Sequence, residues 1–180
     1  MIKLEYMEKE DLSKIVEWNK NKSADYLLQW AGSSYEYPLT LKQIENYYFN
    51  YVKKENSNIF LYKILMSDTN KIIGTIELRE IDKYNKIGKV CRFLIGEEEC
   101  RGKGIGTEVL RQILKNGFED FKFEKIMLGV FDFNHRAIGC YEKVGFIKEK
   151  LLKNLCKSFV DYWNLYEMSI SKAHWKNKKI

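Results

Sequence analysis

Metal centres and disulfide scaffolds both need residues that this chain has little of. It carries two histidines, His135 and His174, and four cysteines, Cys91, Cys100, Cys140 and Cys156, none of them in a CxxC pair. That leaves neither the ligand spacing of a zinc site nor a cysteine framework, and the cysteines are expected to be reduced thiols of a cytoplasmic protein. Long apolar runs are missing too. No window approaches the ~18 to 20 consecutive apolar residues of a membrane span, and the opening MIKLEYMEKEDL lacks the apolar core of a signal peptide. Proline occurs once, at Pro38, and no low-complexity linker, internal repeat or composition break divides the 180 residues. One domain is expected, burying roughly 70% of its unfolded-chain surface.

Acids number 25 against 31 Lys and Arg, for a net charge of +6. Such an excess suits an anionic partner, either nucleic acid or a phosphorylated cofactor. The distribution weakens the nucleic-acid reading, because the last ten residues, SKAHWKNKKI, hold four lysines and no acid, leaving only +2 on residues 1–170. The chain is read as a domain over 1–170 followed by a basic, solvated tail over 171–180.

Along the chain, Ile2-Lys3-Leu4-Glu5-Tyr6 alternates with the period of a half-buried strand, and Leu12, Ile15, Val16, Leu27 and Leu28 mark helical or irregular packing. Pro38 to Gln43 reads as a helix start, with Thr40 capping free amides and Gln43 reaching back to it. Two β-rich runs, 59–66 and 71–81, flank the turn residues Ser67-Asp68-Thr69-Asn70 and form a hairpin. A strand over 89–95 leads through Gly96-Glu97-Glu98-Glu99 into CRGKGIGTEVL, after which Val109, Ile113, Leu114 and Phe118 have amphipathic-helix spacing. A strand over 125–131, a short helix over 136–144 and strands over 146–150 and 159–170 complete a mixed α/β order. Trp163 and Tyr166, three apart on the last strand, are expected on its opposite faces.

The glycine stretch places Gly102, Gly104 and Gly106 between a strand and a helix. Such a junction is a generic anion site, since first-turn amides lack internal partners and the helix dipole is positive there. The ATP-type pattern GxxxxGK[ST] is absent, and the dinucleotide pattern GxGxxG fails because Thr107 stands where its third glycine belongs.

What fits is R-G-x-G-x-G, carried by Arg101, Gly102, Gly104 and Gly106, which resembles the acetyl-CoA pyrophosphate loop of the GNAT superfamily of N-acetyltransferases. One helix and one strand downstream, NHRAIGCYEKVGF (134–146) is similar to that superfamily's N-x-x-A-x-x-x-Y-x-x-x-G-F element. IGEEECRGKGIGTEVL and QWAGSSYEYPLT extend the likeness to the branch with ribosomal-protein N-terminal and spermidine acetyltransferases. The resemblance implies a single α/β domain with a mixed, mostly antiparallel sheet, flanked by helices and splayed where acetyl-CoA binds. It implies an acetyl-CoA-dependent N-acetyltransferase that transfers directly to a primary amine, whether a protein N-terminus, a polyamine or another small amine. No metal or membrane is implied, nucleic acid is disfavoured, and a homodimer is open.

The resemblance assigns cofactor binding to Phe93, Leu94 and Ile95, whose main chain would pair with pantetheine as an added strand. It also assigns Arg101, Gly102, Lys103, Gly104, Ile105, Gly106 and Thr107, whose amides would converge on the pyrophosphate while Arg101 and Lys103 add charge. Asn134 is expected on the cofactor, as a helix cap, or both. Tyr141 takes the superfamily's general-acid position, and a phenol with a pKa near ~10 is protonated at neutral pH. His135 reads as a solvated loop residue, and Cys140 lacks the base that a covalent route would need.

The base is harder to place. Where many relatives carry a strand glutamate, this chain has Lys89-Val90-Cys91-Arg92. Glu77 is the expected substitute, acting directly or through water, with Asp132 behind it. Trp30, Tyr35 and Glu36 are expected to wall the acceptor cleft, aromatic faces and a carboxylate suiting a cation. The missing glutamate also keeps open a non-catalytic acyl-CoA sensor, and the basic tail a ribosome- or nucleic-acid-associated protein.

Overall fold

The computed structural model describes residues 1–157 and 162–178. Its centre is a seven-stranded sheet in the order β1-β2-β3-β4-β5-β7-β6, built from β1 (Ile2–Tyr6), β2 (Ile59–Met66), β3 (Ile72–Asp82), β4 (Ile87–Ile95), β5 (Lys125–Phe131), β6 (Ile147–Lys157) and β7 (Tyr162–Ser171). All neighbours are antiparallel except β4 and β5. That pair is parallel because α4 (Ile105–Lys115) crosses between its strands, a connection no tight turn can make. The first strand, the hairpin and the 89–95 strand stand where periodicity expects them; β6 runs on to Lys157, beyond the expected 150. The expected start of the last strand at Phe159 lies outside the described residues.

Helices cover both faces. On one, α4 and α5 (His135–Lys143) bury Val109, Leu110, Ile113, Leu114, Ile138 and Tyr141 against Ile64, Ile76, Leu78, Ile126 and Met168. On the other, α1 (Leu12–Asn19) and α3 (Leu41–Tyr47) bring Leu12, Ile15, Trp18 and Ile44 onto Leu61 and Leu94, with α2 (Ala24–Ala31) alongside β4. The period of β2 shows the division, Leu61 facing one layer and Tyr62 and Ile64 the other. The central strand β3 is buried on both faces, so Ile73 to Leu78 includes no exposed residue.

Local signals set the helix starts. Ser23 accepts from the Tyr26 amide at 3.1 Å and Thr40 from the Gln43 amide at 3.3 Å. Gln43 does not close the expected capping box: its side chain reaches further back, to the Glu36 amide at 2.9 Å and the Pro38 carbonyl at 3.1 Å. The helix α4 is pinned across the sheet edge, since Glu108 accepts from the Ile2 amide at 3.0 Å and Gln112 donates to the Ile2 carbonyl at 2.8 Å. No described helix is long and apolar enough to cross a membrane.

Part of the basic tail is structured. Residues Lys172–Asn177 form α6, capped by Ser171, and Trp175 packs at a ring-centroid distance of 5.1 Å on the fully buried Phe118. Trp163 stacks edge-on against Phe131 and Phe133 at 4.8 and 4.7 Å, while Tyr166 packs on the main core beneath Lys148. Replacing Trp175 with Ala is expected to lower stability by about 2 kcal/mol, below the ~3–5 kcal/mol of a fully buried aromatic, in denaturant titration. Trp175→Phe should cost much less, because it keeps the ring contact and removes an indole N–H that is buried without a partner among the described residues.

Candidate active site

The parallel pairing of β4 and β5 lasts only from Ile87–Lys89 opposite Lys125–Met127. Beyond it β4 bulges against β3, with the register slipping between Thr75↔Leu94 and Glu77↔Cys91, and Arg92 adopts φ +44°. The strand β5 keeps its pairing with β7 to Phe131. The two strands part, and a cavity of about 480 Å3 opens between them, within the range of small-ligand sites. Phe93, Leu94 and Ile95 line it on one side and Leu128, Gly129 and Val130 on the other. Past Lys89, β4 has no strand partner on its β5 side among the described residues.

At one end stands the glycine loop. Gly102 and Gly104 have φ of +78° and +81°, in the left-handed region that glycine enters without strain. The amides of Gly102, Lys103, Gly104, Ile105 and Gly106 have no acceptor among the described residues, whereas Thr107 and Glu108 already donate to the Gly104 carbonyl. Five adjacent free donors at a helix N-terminus form an anion cradle. Arg136 also lines the cavity, and a Cβ added to Gly102 would stand 3.0 Å from its Nη2. It occupies an unspecified position of the Asn134 motif, and only the fold brings it to the loop.

The two cations expected to assist the loop are placed otherwise. The Arg101 guanidinium turns back, donating to the Ile95 carbonyl at 2.9 Å, the Gly96 carbonyl at 3.2 Å and the Tyr26 hydroxyl at 2.9 Å. It staples the loop to β4 and α2, because two carbonyls at the strand end would otherwise lack donors. Lys103 is exposed and its side chain is not in the cavity wall, and the Ile105 side chain packs towards the core. For those two residues only the backbone faces the site.

Tyr141 lines the cavity from α5, packed edge-on against Phe146 at 5.9 Å, and its hydroxyl makes no hydrogen bond with a described residue. Burial pushes its phenol pKa above the ordinary value, so the proton is held across the physiological range. Asn134 caps α5 by accepting from the Ala137 amide at 3.2 Å and also lines the cavity. His135 is exposed. Cys140 meets Thr107 at 3.4 Å, and burial raises the Cys91 thiol, which is therefore not poised as a thiolate. Asp132 accepts from the Asn164 amide group at 2.8 Å, tying β5 to β7.

Glu77 is not the free carboxylate that a base requires. It is fully buried, receives Arg92 Nη1 at 2.8 and 2.9 Å, Arg79 Nη2 at 2.9 Å and the Tyr47 hydroxyl at 2.8 Å, and does not line the cavity. One carboxylate faces two guanidiniums, which leaves the cluster with an excess positive charge. Arg92 in turn reaches Ser34 at 2.7 Å and lies 4.1 Å from the Tyr47 ring centroid, so the cluster clamps α3 and the 32–34 turn to the sheet. In sequence Arg92 marks only a departure from the expected glutamate; its fold partners lie 15 to 58 residues away.

Of the residues expected at the acceptor cleft, Trp30 lines the cavity and donates to Asn19 at 3.0 Å. Tyr35 packs behind it, edge-on to Tyr47 at 5.8 Å, and burial pushes its phenol up to about 12. Glu36 is exposed and does not line the cavity.

Residues 5–146 match the acetyltransferase (GNAT) family. An N-alpha-acetyltransferase of Saccharolobus solfataricus is 32% identical over 122 residues, covering 64% of this chain and 72% of that protein. YokL, a prophage-derived N-acetyltransferase of Bacillus subtilis, is 33% identical over 92 residues, 51% of each chain. The spermine/spermidine N(1)-acetyltransferase of the same organism is 38% identical over 69 residues, 37% of this chain and 45% of that one. The matched stretch thus spans about half the length of these two relatives. In three dimensions the spermidine N-acetyltransferase of Vibrio cholerae, solved with CoA and spermine, superposes with a TM-score of 0.84 at 22% identity over 98% of both chains.

Glu77→Gln is expected to destabilise the fold by on the order of 3–5 kcal/mol, because the buried Arg92 and the half-buried Arg79 lose their counter-charge. Thermal unfolding checks this; a wild-type melting temperature with abolished turnover would instead return Glu77 to the role of base.

Proposed function

Because the chain belongs to the acetyltransferase (GNAT) family, we propose that it transfers an acetyl group from acetyl-CoA to a primary amine, both substrates being bound together. The observation that carries this reading is one cavity with acceptor-free loop amides at one end and the protonated Tyr141 in its wall. Bound acetyl-CoA supplies the acetyl group, activated as a thioester. The amides of Gly102 to Gly106, with Arg136, suit its phosphates because charged oxygens meet fixed donors that need no reorganisation. The open side of Phe93, Leu94 and Ile95 suits an extended, amide-bearing arm as an added strand.

Tyr141 holds a proton at its hydroxyl for the departing sulfur, which leaves more readily as a thiol than as a thiolate. The amine must arrive as its free base. No Asp or Glu lines the cavity among the described residues and Glu77 is occupied, so its proton leaves to water. A direct transfer is favoured over an acyl-cysteine because neither Cys91 nor Cys140 has a base beside it. Trp30 and Gln29 form the wall nearest α2, where the acceptor would enter.

Tyr141→Phe should lower kcat by about 10²–10⁴-fold, the usual worth of a positioned acid, while the Kd for acetyl-CoA stays within about twofold. Release of free CoA thiol and calorimetry measure the two quantities; unchanged turnover would reduce Tyr141 to a packing residue on Phe146. The pH profile gives an independent check. Burial raises the Tyr141 pKa, so the acid form persists as pH rises, and kcat/KM for the amine should climb with its free-base fraction without an alkaline fall before about pH 10. A descending limb near neutrality would assign the proton to another group.

A further inference from the structure

We propose that Tyr26 is a positioning residue for the cofactor loop: through its bond with Arg101 it locks the start of the loop to α2, so that the loop and the α2 wall of the cavity are ordered as one unit. This rests on the transferase reading above and assigns part of the loop's geometry to a residue far from it in sequence.

The loop is held unevenly. At its far end Thr107 and Glu108 donate to the Gly104 carbonyl, and α4 is buried against the sheet. At its near end, every hydrogen bond that residues 101–103 make among the described residues belongs to Arg101. The Arg101 amide donates to the Glu98 carbonyl at 3.0 Å and its guanidinium to the Ile95 and Gly96 carbonyls, all within six residues of it in sequence. Those bonds only fold the segment on itself. The bond that ties Arg101 to a distant part of the chain runs from Nη2 to the Tyr26 hydroxyl at 2.9 Å, 75 residues away. Glycine loses more backbone freedom on ordering than any other residue, so a loop built on Gly102, Gly104 and Gly106 gains most from a fixed starting point.

Tyr26 is placed to pass that order on. It lines the cavity together with Gln29 and Trp30, which stand three and four residues further along α2 and share its face. The helix is anchored independently of the loop: Ser23 caps it, Leu27 and Ala31 are buried, and the Trp30 indole donates to Asn19 on α1 at 3.0 Å. The Arg101 guanidinium also lies 6.0 Å from the Tyr26 ring centroid and Lys22 Nζ 5.6 Å from it, and both cations face Glu98. A phenol oxygen accepting from a guanidinium makes a charge-assisted bond, stronger than a neutral one. Linkage acts in both directions, so an anion that orders the loop also orders α2.

The first test is a double-variant cycle on the Kd for CoA, read by calorimetry. Tyr26→Phe keeps the ring and removes the acceptor, and should weaken CoA binding about tenfold, the lower end of what a hydrogen bond to a charged group contributes. Arg101→Lys keeps the charge, but one ammonium cannot span two carbonyls and a hydroxyl, so the loss should be at least as large. Adding Tyr26→Phe to Arg101→Lys should change the Kd by less than about twofold, because the shared bond is already gone. Losses that multiply in the double variant would show two independent residues and overturn the inference.

The second test is amide hydrogen exchange across residues 27–31, with and without saturating CoA. In the wild type CoA should slow that exchange, and in Tyr26→Phe, again at saturation, the slowing should be lost. Protection by direct contact of the CoA arm with Gln29 or Trp30 would survive the substitution. Equal slowing in both proteins, or none in the wild type, therefore overturns the inference and leaves the transferase intact, whereas a wild type that binds no CoA overturns both.

Discussion

The parting of β4 from β5 is the constraint on which the rest of the molecule depends. Three parallel residue pairs hold the strands together, and then the bulge at Arg92 bends β4 while β5 stays with β7. Every later feature of the site follows from the gap. On the β5 side, main-chain groups of Phe93 to Ile95 are left without a strand partner among the described residues, α4 begins at the open end, and α5 sets Tyr141 in the wall. A sheet paired along its whole length would offer neither a slot nor unpaired backbone.

What keeps the gap from closing lies on the opposite face. Gly96, just past β4, lies so close to the Trp18 indole that no side chain fits, and Trp18 donates to Glu97 at 2.9 Å. Arg101 joins the same corner to α2 through Tyr26. The Glu77 cluster then ties α3 and the 32–34 turn to the middle of the sheet. Buried ion clusters contribute little net stability when compared with an apolar core, yet losing one member is costly. Such a cluster acts as a register pin, holding the N-terminal segment against β3 and β4 in one arrangement.

The same cluster spans from the core to the edge of the cavity. Glu77 serves as counter-charge, buried away from the cavity, and Arg92 is the member that reaches the cavity wall. Of Trp30, Tyr35 and Glu36, which the sequence suggests as one wall, the fold brings only Trp30 to the cavity.

Sequence alone determined the parts whose causes are local. The strand-to-helix glycines, the Asn134 cap, the Thr40 cap and the seven-residue step to Tyr141 are short-range signals, and they were legible because turn geometry and helix capping act over a few residues. Strand periods likewise announced most of the sheet. Only the tertiary structure decided which charges meet. Ile76-Glu77-Leu78 alternates as a half-buried strand does, but helices on both sides bury β3 from Ile73 to Leu78, turning the carboxylate expected to act as base into the core. Its partners Tyr47 and Arg92, like the Tyr26 that holds Arg101, are 30, 15 and 75 residues away. Arg136 reached the loop for the same reason. Electrostatic pairing depends on distance in space, and a linear sequence carries that distance only after the strands have been laid side by side.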